Sequence, residues 1–262
     1  MTQPTTPQPT TPQPTTPQPT TLHPIADDLW GAEHDLFMPG GVHFRGRMCV
    51  VRLPDGGLVL HSPVPIDDAL AAELAVLGPV THLIAPNKLH YLHLAAAHQR
   101  YPDAKVWAAP GLGEKQPELV QDGVIDAVIG SERAPWESVL EPVFVEGIPW
   151  VNEVVFRHGP SRTLILTDLF FHIHQVANWQ SRFLFWMLGV LGKAKQSPLV
   201  RRQTKDRAAA GASLRRVVAW DLDRAVPAHG RLVEGDVTAS LERIFAWHLE
   251  AAPVLLTAAA AG

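Results

Sequence analysis

Apolar positions along the chain recur with two periods, and the switches between them mark the elements. Arg47 to Arg52 and Leu58 to His61 read as strands joined through Asp55-Gly56-Gly57, a tight hairpin turn. From Ile66 to Leu77 the apolar residues move to helical spacing, behind Asp67-Asp68, acidic residues suited to a helix start. Val80 to Ala85 follows as a buried strand, Tyr91 to Arg100 as a helix, and Ala104 to Ala108 as a short interior strand. Farther on, Pro142 to Val145, Glu153 to Arg157 and Thr163 to Thr167 are strand-like, with Gly159-Pro160-Ser161 as the turn between the last two. An irregular, tryptophan-bearing helical stretch comes next, then a short strand at Arg224 to Pro227 and a closing helix at Val237 to Leu249. A βαβ half followed by a hairpin-rich half predicts mixed sheets flanked by helices.

The termini stand outside this pattern. Pro4 to Thr21 repeats Pro-Thr-Thr-Pro-Gln, a composition with little apolar surface to bury, so residues 1–21 are expected to be a disordered tail. A passive spacer is the simpler reading of it, and a ligand for a proline-reading partner the alternative. Residues 22–251 are expected to form one domain, with 252–262 a flexible tail. At 46% hydrophobic residues, that domain can bury a sizeable core.

A net charge of −4 gives no global reason to expect nucleic-acid binding. Cys49 is the sole cysteine, which excludes an intramolecular disulfide and a Cys-rich zinc site, so any metal must be held by His, Asp or Glu. The start of the chain lacks a basic-then-apolar leader pattern, and the cytoplasm is the expected location. The longest strongly apolar run, Phe183 to Leu191, is about half the ~20 residues a helix needs to cross a bilayer, so no membrane span is expected.

Three apolar strands run straight into groups that bind metal or move protons. They are Ala85-Pro86-Asn87 leading to His90, Leu164 to Thr167 leading to Asp168, and Val226-Pro227-Ala228 leading to His229. Strand ends are where αβ sheets build sites. With Asn87 as a helix cap, His90 would lie in the first helical turn, kept neutral for ligation by the positive end of the helix, and His93 would follow one turn on. Asp168, between apolar runs, would be poorly hydrated and would need a cation, a nearby His, or backbone N–H groups to accept from. Gly230 allows a sharp turn that could aim His229 inward. As ordinary structural residues, the histidines would be surface groups or rings bonded to carbonyls.

These landmarks resemble those of the metallo-β-lactamase superfamily. Thr163 to Asp168 is similar to its strand ending in a metal-bridging Asp, and Pro227-Ala-His229-Gly230 to its late His turn. The resemblance runs from about Asp27 to Leu249 and is strongest to an uncharacterised branch with Met-Pro-Gly-Gly, Ala-Pro-Asn and Ala-His-Gly motifs, here 38–41, 85–87 and 228–230. It implies an αββα sandwich of two mixed sheets flanked by helices. It also implies a degenerate metal site. The superfamily's His-x-His-x-Asp-His signature reads Ala85-Pro-Asn87-Lys-Leu89-His90 here, and its mid-chain His is absent from Gly147 to Glu153. His90, Asp168 and His229, helped by His93, would hold one zinc or iron ion with an open position able to acidify bound water, or the site holds no metal. Glu153, His172 and His174 are weaker substitutes.

Between Arg182 and Arg216 the chain carries nine Lys and Arg against one Asp, a local charge of +8, which leaves −12 on the rest. That asymmetry suits an anionic substrate or surface. The apolar run Phe183 to Leu188 beside it could be a lid, a subunit contact or a lipid-facing patch, against the plainer reading of a core-packing helix and a solvated basic loop. The tryptophans, Trp179 and Trp186 included, are expected to pack in the core. No Walker, dinucleotide or nucleophile-elbow motif is present. The leading expectation is a metal-dependent hydrolase-like protein acting on an unidentified small molecule, for which the charge asymmetry suits an anion. A catalytically inactive binding protein and a membrane-surface or assembly factor working through the basic insertion are the alternatives.

Overall fold

The computed structural model describes residues 20–176 and 178–251; most of the proline-threonine repeat and the 252–262 segment lie outside them. A seven-stranded sheet takes, in spatial and chain order, β1 (Leu22–Ala26), β2 (Leu29–Met38), β3 (Val42–Arg52), β4 (Leu58–His61), β5 (Val80–Ala85), β6 (Lys105–Ala108) and β7 (Ala127–Val128). β1 to β4 pair antiparallel, and β4 to β7 pair parallel. Helices α1 (Asp68–Leu77), α2 (Leu94–Arg100), α3 (Leu112–Lys115) and α4 (Pro117–Gln121) make the crossovers between the parallel strands. A second sheet has five strands, β8 (Leu140–Phe144), β9 (Val154–His158), β10 (Thr163–Leu166), β11 (Arg224–Pro227) and β12 (Val233–Glu234), in the reverse of chain order. Between β10 and β11, which are parallel, run α5 (Trp179–Met187), α6 (Pro198–Gln203) and α7 (Arg207–Val218); α8 (Val237–Leu249) closes the chain.

Strict alternation of side chains explains why the strands look apolar throughout. Val50, Leu58, Leu60 and Leu83 face α1 and α2, packing with Leu70, Leu74 and Leu94. Their neighbours Val51, Val59 and Ile84 point the other way, into a layer shared with Phe156, Ile165 and Val226 of the second sheet and with Trp107 and Trp136. Leu164, Leu166 and Ala225 turn outward from that sheet onto Leu214, Leu241 and Phe245 of α7 and α8. Two sheets face to face, each covered by helices, make the αββα sandwich anticipated from the sequence. No helix among the described residues is long and apolar enough to cross a membrane.

Several boundaries differ from the sequence reading. The expected first strand lengthens into a long β2–β3 hairpin, whose outer strand, Leu29–Met38, was not anticipated: His34 and Asp35 break the apolar run, and its residues from Glu33 to Met38 are only partly buried or exposed. The helix expected from Tyr91 begins at Leu94, because Asn87 caps a turn instead; its Oδ1 accepts from Leu89 N and His90 N, both at 2.7 Å. His90 therefore lies before the helix, not in its first turn. Trp179 and Trp186, expected in the core, are 72% and 68% exposed.

Three core histidines make the fold sensitive to acid. Burial and the charge of nearby His90 push His61 down to about 3. Burial, partly opposed by Asp28, pushes His158 to about 4; burial with Arg201 and Arg207 does the same to His248. Each ring is neutral in the fold but takes a proton near 6.5 once the chain unfolds, so stability is full above that pH and drains away as pH falls toward these depressed values. Neither nitrogen of His61 has a hydrogen-bond partner. A His61→Leu variant should gain about 2 kcal/mol more at pH 5 than at pH 7.5, measured by urea denaturation. An equal effect at both pH values would contradict a neutral, acid-labile His61.

Candidate metal centre

Register puts the late residues of the centre side by side. Leu166 of β10 pairs with Pro227 of β11, and Ala228 N donates to Leu166 O at 3.0 Å. Two residues beyond that pair on each strand stand Asp168 and His229. His90 reaches the same rim from the turn after β5, tied to the second sheet where Val154 N donates to Pro86 O at 2.8 Å. His90 Nε2 lies 3.3 Å from Asp168 Oδ2, His229 Nε2 lies 3.6 Å from Asp168 Oδ1, and the two Nε2 atoms are 3.3 Å apart. The three side chains are 12%, 10% and 4% exposed for His90, Asp168 and His229.

The other ring nitrogens show what each Nε2 presents. His229 Nδ1 lies 2.8 Å from Arg45 O, an acceptor, so Nδ1 carries the proton and the neutral ring turns an Nε2 lone pair toward a carboxylate and a second imidazole. That arrangement is repulsive unless one of the two rings carries a proton on Nε2 or a cation sits among the donor atoms. His90 Nδ1 faces Ser62 Oγ at 2.6 Å and can donate there, freeing its own Nε2. A tetrahedral ion with bonds of about 2.0–2.1 Å keeps its donors about 3.3–3.4 Å apart; the two Nε2 atoms stand 3.3 Å apart, each ring faces its own oxygen of Asp168, and one ligand atom from each residue lies within 4.8 Å of the others. The residues present therefore fit one such ion.

Charge in the centre is balanced internally. Burial would raise the Asp168 carboxyl, but His90 and His229 outweigh it and hold it well below the usual carboxylate range. Burial would lower His90, and Asp168, with help from Glu153, reverses that and raises it. The helix-start reading, which kept His90 neutral through the macrodipole, is corrected by this: the helix does not reach His90, and the Asp168 carboxylate raises it instead.

A supporting ring of groups fixes the positions. Fully buried Glu153 accepts from Thr167 N at 2.6 Å and from Asp168 N at 2.8 Å, holding the end of β10, and burial together with the Asp168 charge pushes it up to about 7. Asn87 Nδ2 donates to Asp168 Oδ2 and Thr167 Oγ1, each at 2.7 Å. The buried Arg47 guanidinium clamps the His229 turn, donating to Pro227 O and to Gly230 O at 2.7 Å, and meets Glu33 Oε1 at 2.5 Å. Gly230 has φ 97°, and a Cβ there would come within 2.1 Å of His172 O, so the turn requires glycine. Phe171 stacks on His229 and Phe44 meets it edge-on, which gives the ring an apolar surround.

His93 is not brought to this cluster. It stands at the N-terminal boundary of α2 without a side-chain capping bond and packs edge-on against His34, ring centroids 5.6 Å apart, where burial and His34 lower it. His172 and His174 pair with each other at 4.7 Å beside Arg231. The sequence reading missed the roles of Ser62, Arg47 and Glu153 as supports. A polar residue ending an apolar strand, as Ser62 does at φ 58°, and an Arg between apolar strand positions were the available signals.

A narrow slot of about 90 Å³ opens beside Asp168, walled by Trp150, Phe171, Phe185, Leu188 and Val200. A larger cavity of about 710 Å³, lined by Arg45, Arg47, Arg231, Glu33 and Glu234 among others, borders the His229 turn through Ala228 and Gly230 and is not lined by any of the three side chains.

The two helix-covered sheets, with a His and Asp cluster at the rim where parallel strands end, define a metallo-β-lactamase fold. The chain belongs to the family described as a domain of unknown function (DUF4336), which matches residues 27–178. It is similar to a metallo-β-lactamase from Hirschia baltica at 12% identity and a TM-score of 0.58, over 91% of this chain and 100% of that one. One from Pontibacter korlensis shares 16% identity with a TM-score of 0.58, over 88% and 99%. One from Pseudomonas aeruginosa, solved in a mono-zinc form, shares 13% with a TM-score of 0.53, over 89% and 95%. At these identities the likeness establishes the fold alone. No curated protein matches the chain in sequence.

Proposed function

We propose that the protein is a metal-dependent hydrolase-like protein in which His90, Asp168 and His229 hold a single divalent cation. The observation that carries this reading is the pair of Nε2 atoms 3.3 Å apart, facing the two oxygens of Asp168 at 3.3 Å from His90 and 3.6 Å from His229, with one ligand atom from each residue within 4.8 Å of the others. Two imidazoles and a carboxylate suit zinc or iron, and they leave a position free. Such an ion supplies Lewis acidity, polarising a carbonyl or phosphoryl oxygen and making water acidic near neutral pH. The similar Pseudomonas aeruginosa enzyme was solved with one zinc, which favours a one-ion reading of a centre lacking the further imidazoles.

The chain's own residues prepare the centre. Arg45 O fixes the His229 tautomer, Ser62 accepts from His90, Glu153 and Asn87 aim Asp168, and the apolar slot limits water. A small molecule reaching Asp168 through that slot would present an apolar part to Phe171, Phe185 and Leu188. Leu89 stands where the superfamily signature has Asp, so a bound ion would have to activate water without that carboxylate.

Calorimetric titration of chelator-treated protein with zinc, iron(II) and manganese(II) tests the reading. One site per chain for at least one of them is expected, and no stoichiometric binding of any would overturn it. Ser62→Ala should weaken binding of the same ion about tenfold by freeing the His90 ring, again read by titration. An unchanged affinity would remove Ser62 from the supporting ring.

A further inference from the structure

We propose that the outer face of α5, together with the tip of the β2–β3 hairpin beside it, is a docking surface for an anionic lipid bilayer. α5 is apolar on both sides. Its inner side places Phe185 against Phe44, in a cluster with Phe171, Leu188 and Val190. Its outer side carries Trp179, Phe183, Trp186 and Met187, between 56% and 72% exposed, at the i, i+4, i+7, i+8 spacing of one helical stripe. Apolar side chains on two sides of a helix are normally covered on both.

The exposed apolar surface extends beyond the helix. Asn178 Nδ2 donates to Gly41 O and Ser181 Oγ accepts from His43 N, fastening α5 to the hairpin tip, where Phe37 and Met38 are 63% and 50% exposed. Two separate segments thus present aromatic and thioether side chains beside one another, the composition that seats at a membrane interface.

Charge identifies the occupant. Arg182 stands within the stripe, and exposed Lys193 and Arg202 follow it; among the described residues none of the three has a carboxylate partner. No Asp or Glu occurs from Leu36 to Gly46 or from Leu169 to Lys205. A second copy of the chain seated symmetrically on this face would bring Arg182 toward its own equivalent, like charge to like charge. A polyanion without apolar depth would satisfy the cations and leave the aromatic rings in water. An anionic bilayer answers both, with acyl chains for the rings and headgroups for the cations.

Co-sedimentation of the full chain with vesicles tests this. Wild-type protein should pellet with phosphatidylglycerol–phosphatidylcholine vesicles, much less with phosphatidylcholine alone, and should be released as salt screens the charge. Arg182→Glu should reduce partitioning at least about fivefold, the equivalent of ~1 kcal/mol per cation near the surface. Trp179→Ser/Phe183→Ser/Trp186→Ser should abolish it while leaving the melting temperature near that of wild type, since these side chains lie outside the core. Wild-type protein staying in solution with anionic vesicles at low salt would overturn the proposal, as would undiminished binding by the triple variant. A dimer seen by light scattering without vesicles and dissolved by the triple variant would assign the face to a second copy instead.

Discussion

An Asp168→Asn variant should lose its divalent metal while keeping its fold. Asparagine fills the same space and keeps a carbonyl oxygen for Asn87 Nδ2, which now meets Asp168 Oδ2 at 2.7 Å. What disappears is the only negative charge among the three donor groups. Changing a residue that merely orients a metal ligand lowers affinity 10- to 100-fold, and removing a charged ligand from a set of three should exceed about 100-fold, roughly 3 kcal/mol. Melting curves separate this from damage to the fold. The metal-free variant should melt cooperatively but below metal-free wild type, since the carboxylate that pairs with the buried His90 ring is gone. Added zinc should then raise the melting temperature of wild type alone, because a ligand stabilises only the state that binds it. Equal elevation of both would show that zinc binds elsewhere.

The largest stability loss is expected from Glu153→Ala. The Glu153 carboxyl is fully buried and accepts the backbone N–H groups of Thr167 and Asp168, so its removal orphans two interior donors and opens a cavity beside them. Each orphaned donor costs about 1–3 kcal/mol, and the cavity adds to it, which gives a loss of about 4 kcal/mol and a melting temperature roughly 10 °C lower. Glu153→Gln keeps the volume and should cost less. It also mimics the protonated acid. Because burial and Asp168 push Glu153 up to about 7, the folded chain holds a proton there that the unfolded chain releases near 4.5, so its contribution falls as pH rises between those values. The penalty of Glu153→Gln should accordingly be smaller at pH 8 than at pH 5. Urea denaturation of both variants reads these effects, and a Glu153→Ala loss under 1 kcal/mol would show that water replaces the carboxylate.

The meeting of His90, Asp168 and His229 was legible because each lies just past an apolar strand. Asp168 and His229 each follow such a strand at the same offset, and the parallel pairing of β10 with β11 turns that coincidence in sequence into adjacency in space. Element identity in the βαβ half was legible for a related reason, since strand segments buried on both faces leave apolar runs, as Leu83–Ala85 does. What stayed hidden depends on contacts remote in the chain. The role of Arg47 exists only because Pro227 and Gly230 come to it, and that of Ser62 only because His90 does. His93 misled because helical spacing placed it near His90, whereas the Asn87 turn delays the helix and sends His93 to His34. The tryptophans of α5 misled because composition cannot distinguish a face that packs inward from one that awaits a partner.

The most direct test of the proposed centre is anomalous X-ray scattering from crystals grown with zinc, measured on either side of the zinc absorption edge. The account predicts one strong peak per chain among His90 Nε2, His229 Nε2 and the Asp168 carboxylate, about 2 Å from each. A peak confined to His172 and His174, or no peak at the rim where β5, β10 and β11 end, would contradict it.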